Sequence, residues 1–278
     1  MKILVIGSKG FLGRYVVDEL NKEGYGMVEF KGDARKKDDI ASSIDGCKAV
    51  INIIGIIRET KDKTFYDEHV VVIKNIVDAM KEKGIKKIVH VSALGTKAGA
   101  KSQYHKTKYA GELCIIDSKL DYTILRPSFL FGKEDKSINY FIKFVRKGFF
   151  IIFGDGDYKL QPVYVGDVAK AVVDSIKNKK ASKNIIELGG NKQYGFNELI
   201  DLLARSRNKK IVKIHIPLWM ARSLASLFGW ISFFPVTREQ LEMLIEGNTC
   251  NIEEFKNTFD IKLKEFEEYL QENAPYGI

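Results

Sequence analysis

Cysteine is scarce in this chain of 278 residues: there are three, Cys47, Cys114 and Cys250, far apart and without a C-x-x-C spacing. That excludes a disulfide framework and a thiolate metal site, and it points to a reducing cytoplasm. The four histidines, His69, His90, His105 and His215, share no ligand spacing with acids or cysteines, so no metal centre is expected. No internal repeat and no low-complexity segment is present. The start, "MKILVIGSKG", holds one lysine and a short apolar run, too short for a signal peptide and suited to a buried strand. Nothing in it addresses the chain for export.

A stripe of basic residues interleaved with aromatics is missing too. The formal charge is +9 and the pI about 9.2, which suits contact with phosphates or an anionic surface. The lysines, however, sit in short clusters at helix ends ("ARKKDD", "KEKGIKK", "NKKASK") and alternate with acids. That is an ordinary solvated face, and nucleic-acid binding is not expected.

With 45% hydrophobic and 29% charged residues, the chain is globular and long enough for one large domain or one and a half. Strand-length apolar runs alternate with helix-period segments, which predicts a parallel sheet flanked by helices. "KILVIG", "MVEFKG", "KAVINIIG", "KKIVHVSA", "DYTILRP" and "NIIELGG" read as strands. "GRYVVDELNKEG", "KKDDIASSI", "TFYDEHVVVIKNIVDAMKEKG", "YHKTKYAGELCIIDS" and "PVYVGDVAKAVVDSIKNK" read as helices. Beyond Gly190 the alternation weakens into mainly helical segments. The expected organisation is a Rossmann-type α/β core over residues 1–188 and a small, mainly helical C-terminal lobe over 189–278.

"VIGSKGFLGRYVV" follows the first strand and opens the first helix, with Gly7, Gly10 and Gly13 three residues apart. One glycine makes the tight turn, one lets backbone N–H groups approach a pyrophosphate, and one lets the helix pack on the strand. The helix N-terminus then presents its partial positive charge to the phosphates. Ser8, Lys9, Phe11 and Leu12 complete the loop, and Ile53, Ile54, Gly55 and Val91 at later strand ends are expected to line the same cofactor.

In "KSQYHKTKYAGE", Tyr104 and Lys108 lie four positions apart and share a helical face. A tyrosine with an ordinary pKa of about 10 exchanges protons poorly at neutral pH. A lysine ammonium one helical turn away, together with a cofactor's cationic ring, favours the phenolate, and a lowering of roughly one to three units is expected. Ser92, at the end of "IVHVSA", is the candidate for polarising a substrate carbonyl, with Thr96 as fallback. Asn75 is a candidate for a water relay or an exposed polar residue, and His105 reads as a solvent-facing neighbour.

The G-x-x-G-x-x-G spacing with Phe11 and Leu12 resembles the extended and atypical branches of the short-chain dehydrogenase/reductase superfamily, the epimerase/dehydratase-like members included. "VHVSALG", "YHKTKYAGE", "ILRPSFLFGKEDKSINYF", "LQPVYVGDVAKAV" and "FFPVTREQLEML" narrow the likeness to the nucleotide-binding accessory subunits of respiratory complex I and their prokaryotic relatives. The resemblance runs from residue 1 to about residue 250. It implies a tightly held NADP(H), association with a membrane complex or with quinone metabolism in some members, and often no demonstrated turnover. It also implies that "RPSF" brings Pro127, Ser128 and Phe129 to the nicotinamide pocket.

One departure bears on the cofactor. Between the first helix and "VEFKGDARKKDDI" there is room for a single strand, so a βα unit that relatives use to read the adenosine 2′-position is missing. Asp33 suits a ribose-binding acid, which favours NAD. Lys9, Arg14, Lys31 and Arg35 suit a 2′-phosphate, which favours NADP, and NADP is the preferred expectation.

"IPLWMARSLASLFGWISFFP" places Met220, Leu224, Leu227, Phe228 and Ile231 on one helical stripe, with Trp219, Trp230, Phe233 and Phe234 as exposed candidates. Arg222 and the serines argue against a membrane span. A packed helix of the C-terminal lobe is the first reading and a membrane-surface helix the second. The functional expectation is an NAD(P)-dependent oxidoreductase with Tyr104, Lys108 and Ser92 as its acid/base site. The alternatives are a non-catalytic accessory or assembly protein and a sugar-nucleotide epimerase or dehydratase. Location is expected to be cytoplasmic or peripheral at the inner membrane face, while substrate and oligomeric state stay open.

Overall fold

The computed structural model describes residues 1–228 and 236–273. Its largest sheet has six strands. β1 (Lys2–Ile6), β2 (Gly26–Glu29), β3 (Ala49–Asn52), β4 (Lys87–Val91), β5 (Asp121–Pro127) and the strand Asn184–Leu188 run in the order Asn184–Leu188, β5, β4, β3, β1, β2. Every pairing is parallel. Four of the five residues of β1 and all four of β3 are buried, which is why these runs read as continuous apolar segments rather than alternating ones.

The helices α1 (Phe11–Lys22), α2 (Lys37–Ser43), α3 (Val72–Glu82) and α4 (Gln103–Asp117) connect successive strands. Leu4, Val50, Ile73, Ile76, Ile88 and Ile124 meet in the core between sheet and helices. The chain leaves β1 toward β2 at the sheet edge, then returns across β1 to β3. This reversal is the switch point of the sheet, where the strand ends leave a crevice. A single short strand fills the interval between α1 and α2, as the compressed sequence there predicts.

Two elements differ from expectation. The long helix ending near Gly84 begins with a π-helical turn, Asp67–Val71, before α3 proper. The helix expected from Pro162 starts at Val165, because Val163 and Tyr164 first pair with Leu130–Phe131 as a short parallel strand. β-branched and aromatic residues favour that pairing.

Two compact units are present. The first holds residues 1–127, 165–188 and 251–262, and the second holds 128–164, 189–250 and 263–278. In the second, Phe131, Ile142, Phe150, Phe196, Leu199 and Phe266 form an aromatic-rich core. The helix Leu218–Phe228 buries Ala221 and Ala225 beside Leu241, whereas Trp219 is 68% and Leu227 65% exposed. Of the expected stripe, Met220 and Leu227 are exposed and Leu224 is half-buried, and the small alanines let a neighbouring helix approach. Trp230, Ile231, Phe233 and Phe234 lie outside the described residues. Among the described residues, no helix is long and apolar enough to cross a membrane.

Candidate functional site

The loop after β1 is built from backbone. Gly7 has φ +97°, a conformation that disfavours side chains. A Cβ on Gly13 would lie 2.1 Å from Gly7 O, so only glycine lets α1 start this close to the strand. Gly10 caps α1 without a side-chain hydrogen bond, and the first turn holds no acid. The first turn of the helix thus brings no acid of its own to its amides, and a bare helix start of this kind is where anions bind.

Beside the loop lies a cavity of about 350 Å³ whose wall includes Gly7, Ser8, Lys9, Ile54, Asp33 and Arg35. These are expected cofactor residues, and the fold brings them together. Lys31 is exposed and stands outside that wall, while Phe30, Lys63 and Glu68 belong to it without having been anticipated. Arg35 grips Asp33 with two hydrogen bonds, Nε and Nη2 each 2.9 Å from a carboxylate oxygen. This pairing, first of all the side-chain hydrogen bond, holds the Asp33 pKa down at about 2. Ser8 Oγ donates to Glu29 Oε1 at 2.9 Å. Glu29 ends β2, so it is a second acid beside the loop. Its place is not visible in the sequence, because only the strand register shows where β2 stops.

Phe11 packs edge-on against Tyr15, and Leu12 is buried under α1. Ile53 N–H donates to Ile6 O, tying the end of β3 to β1. A dinucleotide fits these features: the glycine cradle and bare helix start suit a pyrophosphate, and the cavity at the adjoining strand ends suits a nucleoside.

Tyr104 and Lys108 both lie on the buried side of α4, 7% and 3% exposed. α4 is capped by Ser102, whose hydroxyl accepts the His105 N–H. Lys108 Nζ donates to Val91 O at 3.2 Å, which places the lysine at the end of β4. Burial pulls its pKa down to about 8, partly opposed by Glu112. Burial likewise pushes the Tyr104 phenol up to about 12. The ring sits against Phe65, His69 and His105, and loss of water around the phenolate is what raises it.

Ser92 and Thr96 are both buried, with hydroxyls 3.4 Å apart. Asn75 donates instead to Ala34 O and supports the cavity loop. His105 is not solvent-facing: it is 4% exposed, with Nδ1 3.1 Å from Ser102 Oγ. The cap turns its ring inward. Pro127 O accepts the Leu94 N–H. Ser128 and Phe129 fall in the second unit, where Ser128 Oγ donates to Gln161 O and Phe129 stacks on Phe141.

Under α4, Glu112 is fully buried and takes two hydrogen bonds from Arg126, at 3.0 and 2.6 Å. His69 belongs to the same cluster, its ring edge-on to Tyr104. It is 2% exposed, and burial, with Lys108 second, drives its pKa to about 2. The sequence weighed it only as a metal ligand, and nothing local reveals that its turn packs on α4. Among the described residues no His/Cys/Asp/Glu group is arranged to hold a metal ion.

The chain is 29% identical over 272 residues to mouse NADH dehydrogenase (ubiquinone) 1 alpha subcomplex subunit 9, mitochondrial, covering 86% of this chain and 70% of that protein. The Arabidopsis thaliana protein of the same name is 32% identical over 248 residues, covering 80% of this chain and 62% of the relative. Among solved structures, a UDP-glucose 4-epimerase from Thermotoga maritima with UDP-glucose superposes with a TM-score of 0.79 at 19% identity, covering 99% and 98% of the two chains. That likeness shows a shared fold. A family model described as NAD(P)H-binding matches residues 22–179, more than half of the sequence. The chain belongs to that NAD(P)H-binding family.

Proposed function

We propose that the protein is an NAD(P)(H)-dependent oxidoreductase of the short-chain dehydrogenase type. The carrying observation is that Tyr104 and Lys108 are buried together on α4, with Lys108 bonded to the end of β4. When bound, the nicotinamide supplies hydride chemistry at a carbon bearing oxygen. Gly7, Gly10, Gly13 and the start of α1 hold the pyrophosphate. Tyr104 Oη passes the proton to or from the substrate oxygen, Lys108 Nζ steadies the phenolate, and Ser92 Oγ orients that oxygen. Residues 189–278 supply substrate or partner contacts.

NADP(H) is the proposed cofactor, with Lys9, Lys31 and Arg35 as the 2′-phosphate cations. Glu29 beside Ser8 is the observation that favours NAD, since a carboxylate repels a phosphate there and accepts a ribose hydroxyl. Competition of NADPH against NADH in Lys31→Glu, Arg35→Glu and Glu29→Gln decides this. Unchanged preference in both cation variants sinks the NADP assignment.

The second reading, a non-catalytic accessory protein that holds the dinucleotide, draws support from the Tyr104 pKa of about 12 and from the names of the mitochondrial relatives. Purification without added nucleotide, identification of the bound cofactor and reoxidation by quinones, aldehydes or sugar nucleotides separate the two. The oxidoreductase gives turnover that Tyr104→Phe lowers about 100-fold or more. Bound NADPH that no acceptor oxidises favours the accessory role, and turnover with a sugar nucleotide moves the assignment to the epimerase class. Peripheral association with a respiratory complex at the inner membrane face is proposed on the same likeness. Flotation with anionic liposomes at low salt tests its membrane part, and absence of binding counts against it.

A further inference from the structure

The π-helical turn Asp67–Val71 sets His69 against α4, and such turns recur at functional positions. The imidazole stacks on Phe65 at 5.6 Å and meets the Tyr104 ring edge-on at 5.3 Å. Its Nδ1 is 2.9 Å from Thr107 Oγ1. That hydroxyl gives its own hydrogen to backbone, lying 2.9 Å from Gln103 O and 3.0 Å from Tyr104 O. It therefore accepts from the imidazole, which puts the ring hydrogen on Nδ1 and leaves Nε2 as a lone pair. Nε2 has only a long contact, 3.4 Å from the Ile56 N–H.

Lys108 faces the same place. A Cβ on Gly55 would lie 3.0 Å from Lys108 Nζ and 3.8 Å from His69 Nε2, so ammonium and lone pair flank one small space above that glycine. Val91 O takes one of the three ammonium hydrogens. We propose that His69 is a positioning residue for Lys108: its Nε2 exchanges the long Ile56 bond for one that reaches the ammonium through one water, and so keeps the lysine charged and aimed beside Tyr104. The inference rests on the reading of Tyr104 and Lys108 as the proton-handling pair.

The remaining groups around Lys108 do not offer that acceptor. Glu112, on its own helix, is committed to Arg126. His90 on β4 is fully buried and held neutral, first by desolvation and then by Lys108 and His69; its Nδ1 engages Asn52. Glu68, beside His69 in the π-helical turn, faces Lys63 at 3.9 Å. His69 itself stays neutral at every pH near 7, so the acceptor does not switch off.

The test is an NMR titration of the lysine 15Nζ resonances in the full-length protein, with the Lys108 signal identified by its loss in Lys108→Arg. The wild-type inflection is expected near pH 8. His69→Phe keeps a stacking ring but removes the acceptor, and is expected to move the inflection down by about half a pH unit or more. His69→Asn restores an oxygen acceptor and recovers about half of that shift. Thr107→Val frees Nδ1 and gives a smaller drop, which keeps the test decisive should His69→Phe fail to fold. An unmoved inflection in a His69→Phe protein that melts like wild type overturns the proposal. Equal shifts in the Phe and Asn variants also overturn it, since they assign the effect to packing. Failure of the oxidoreductase reading is visible separately: cofactor reoxidation indifferent to Tyr104→Phe, with the Lys108 inflection still answering to His69.

Discussion

At the start of α1 the backbone itself forms the binding surface: Gly10 gives no side-chain cap, no acid occupies the first turn, and Gly13 lets the helix press on the loop. At the start of α4 side chains do everything. Ser102 caps the helix, Tyr104, His105 and Lys108 are buried, and Glu112 is sealed against Arg126. The first site needs little beyond a close approach of backbone to backbone. The second carries polar groups out of water and must compensate each one. Mutations should therefore act on α1 through space and on α4 through charge.

The largest effect is expected beneath α4. Glu112→Gln takes the buried carboxylate from Arg126, which keeps only the longer contact with Glu187 at 3.8 Å, and should destabilise the fold by roughly 3 kcal/mol or more, measured by urea denaturation. A change below about 1 kcal/mol would place the pair with ordinary surface bridges. At α1, Gly13→Ala should cost about 3 kcal/mol, because the new Cβ meets backbone that cannot yield. It should also abolish retention of the bound nucleotide, assayed after gel filtration.

Lys108→Met should go the other way. Lys108 falls from 10.5 unfolded to about 8 folded, so the folded state binds its proton less well. Below pH 8 both states are protonated and the whole cost, roughly 3 kcal/mol, is present. Between pH 8 and 10.5 the folded lysine loses its proton while the unfolded one keeps it, and the cost disappears. The methionine variant should thus be more stable than wild type at pH 7 and equal to it above pH 10.5, while losing turnover. Thermal melts across that range check this, and a pH-independent difference would refute the charge argument. The smallest effect is Ser102→Ala, about 1 kcal/mol for the lost cap, accompanied by exposure of His105 to solvent that hydrogen-exchange or chemical modification would detect.

The two regions also differed in how readily they could be read. The glycine loop was legible because its signals are local: strand, three glycines and helix follow one another, and each residue's task depends on neighbours within a few positions. Tyr104 and Lys108 were legible as a pair, since four-residue spacing on a helix puts them on one face. Their energetics were not. The spacing says nothing of the rings Phe65 and His69, which arrive from the α3 side and remove the water a phenolate requires. Glu29 escaped notice for a similar reason, because its nearness to Ser8 depends on β2 pairing with β1 in parallel register. His105 was misread because a cap, not periodicity, sets the first turn's orientation.

By itself the sequence determined the order of strands and helices, the parallel sheet, the glycine cradle and the helix that bears Tyr104 and Lys108. Periodicity and turn chemistry are short-range, and each of these features is written within one segment. Tertiary structure alone decided which polar groups lose their water: it brought the π-helical turn of His69 to Lys108, turned His105 inward and joined Glu112 to Arg126. Desolvation and hydrogen bonding depend on what the far chain brings close, and that is set only when the elements pack.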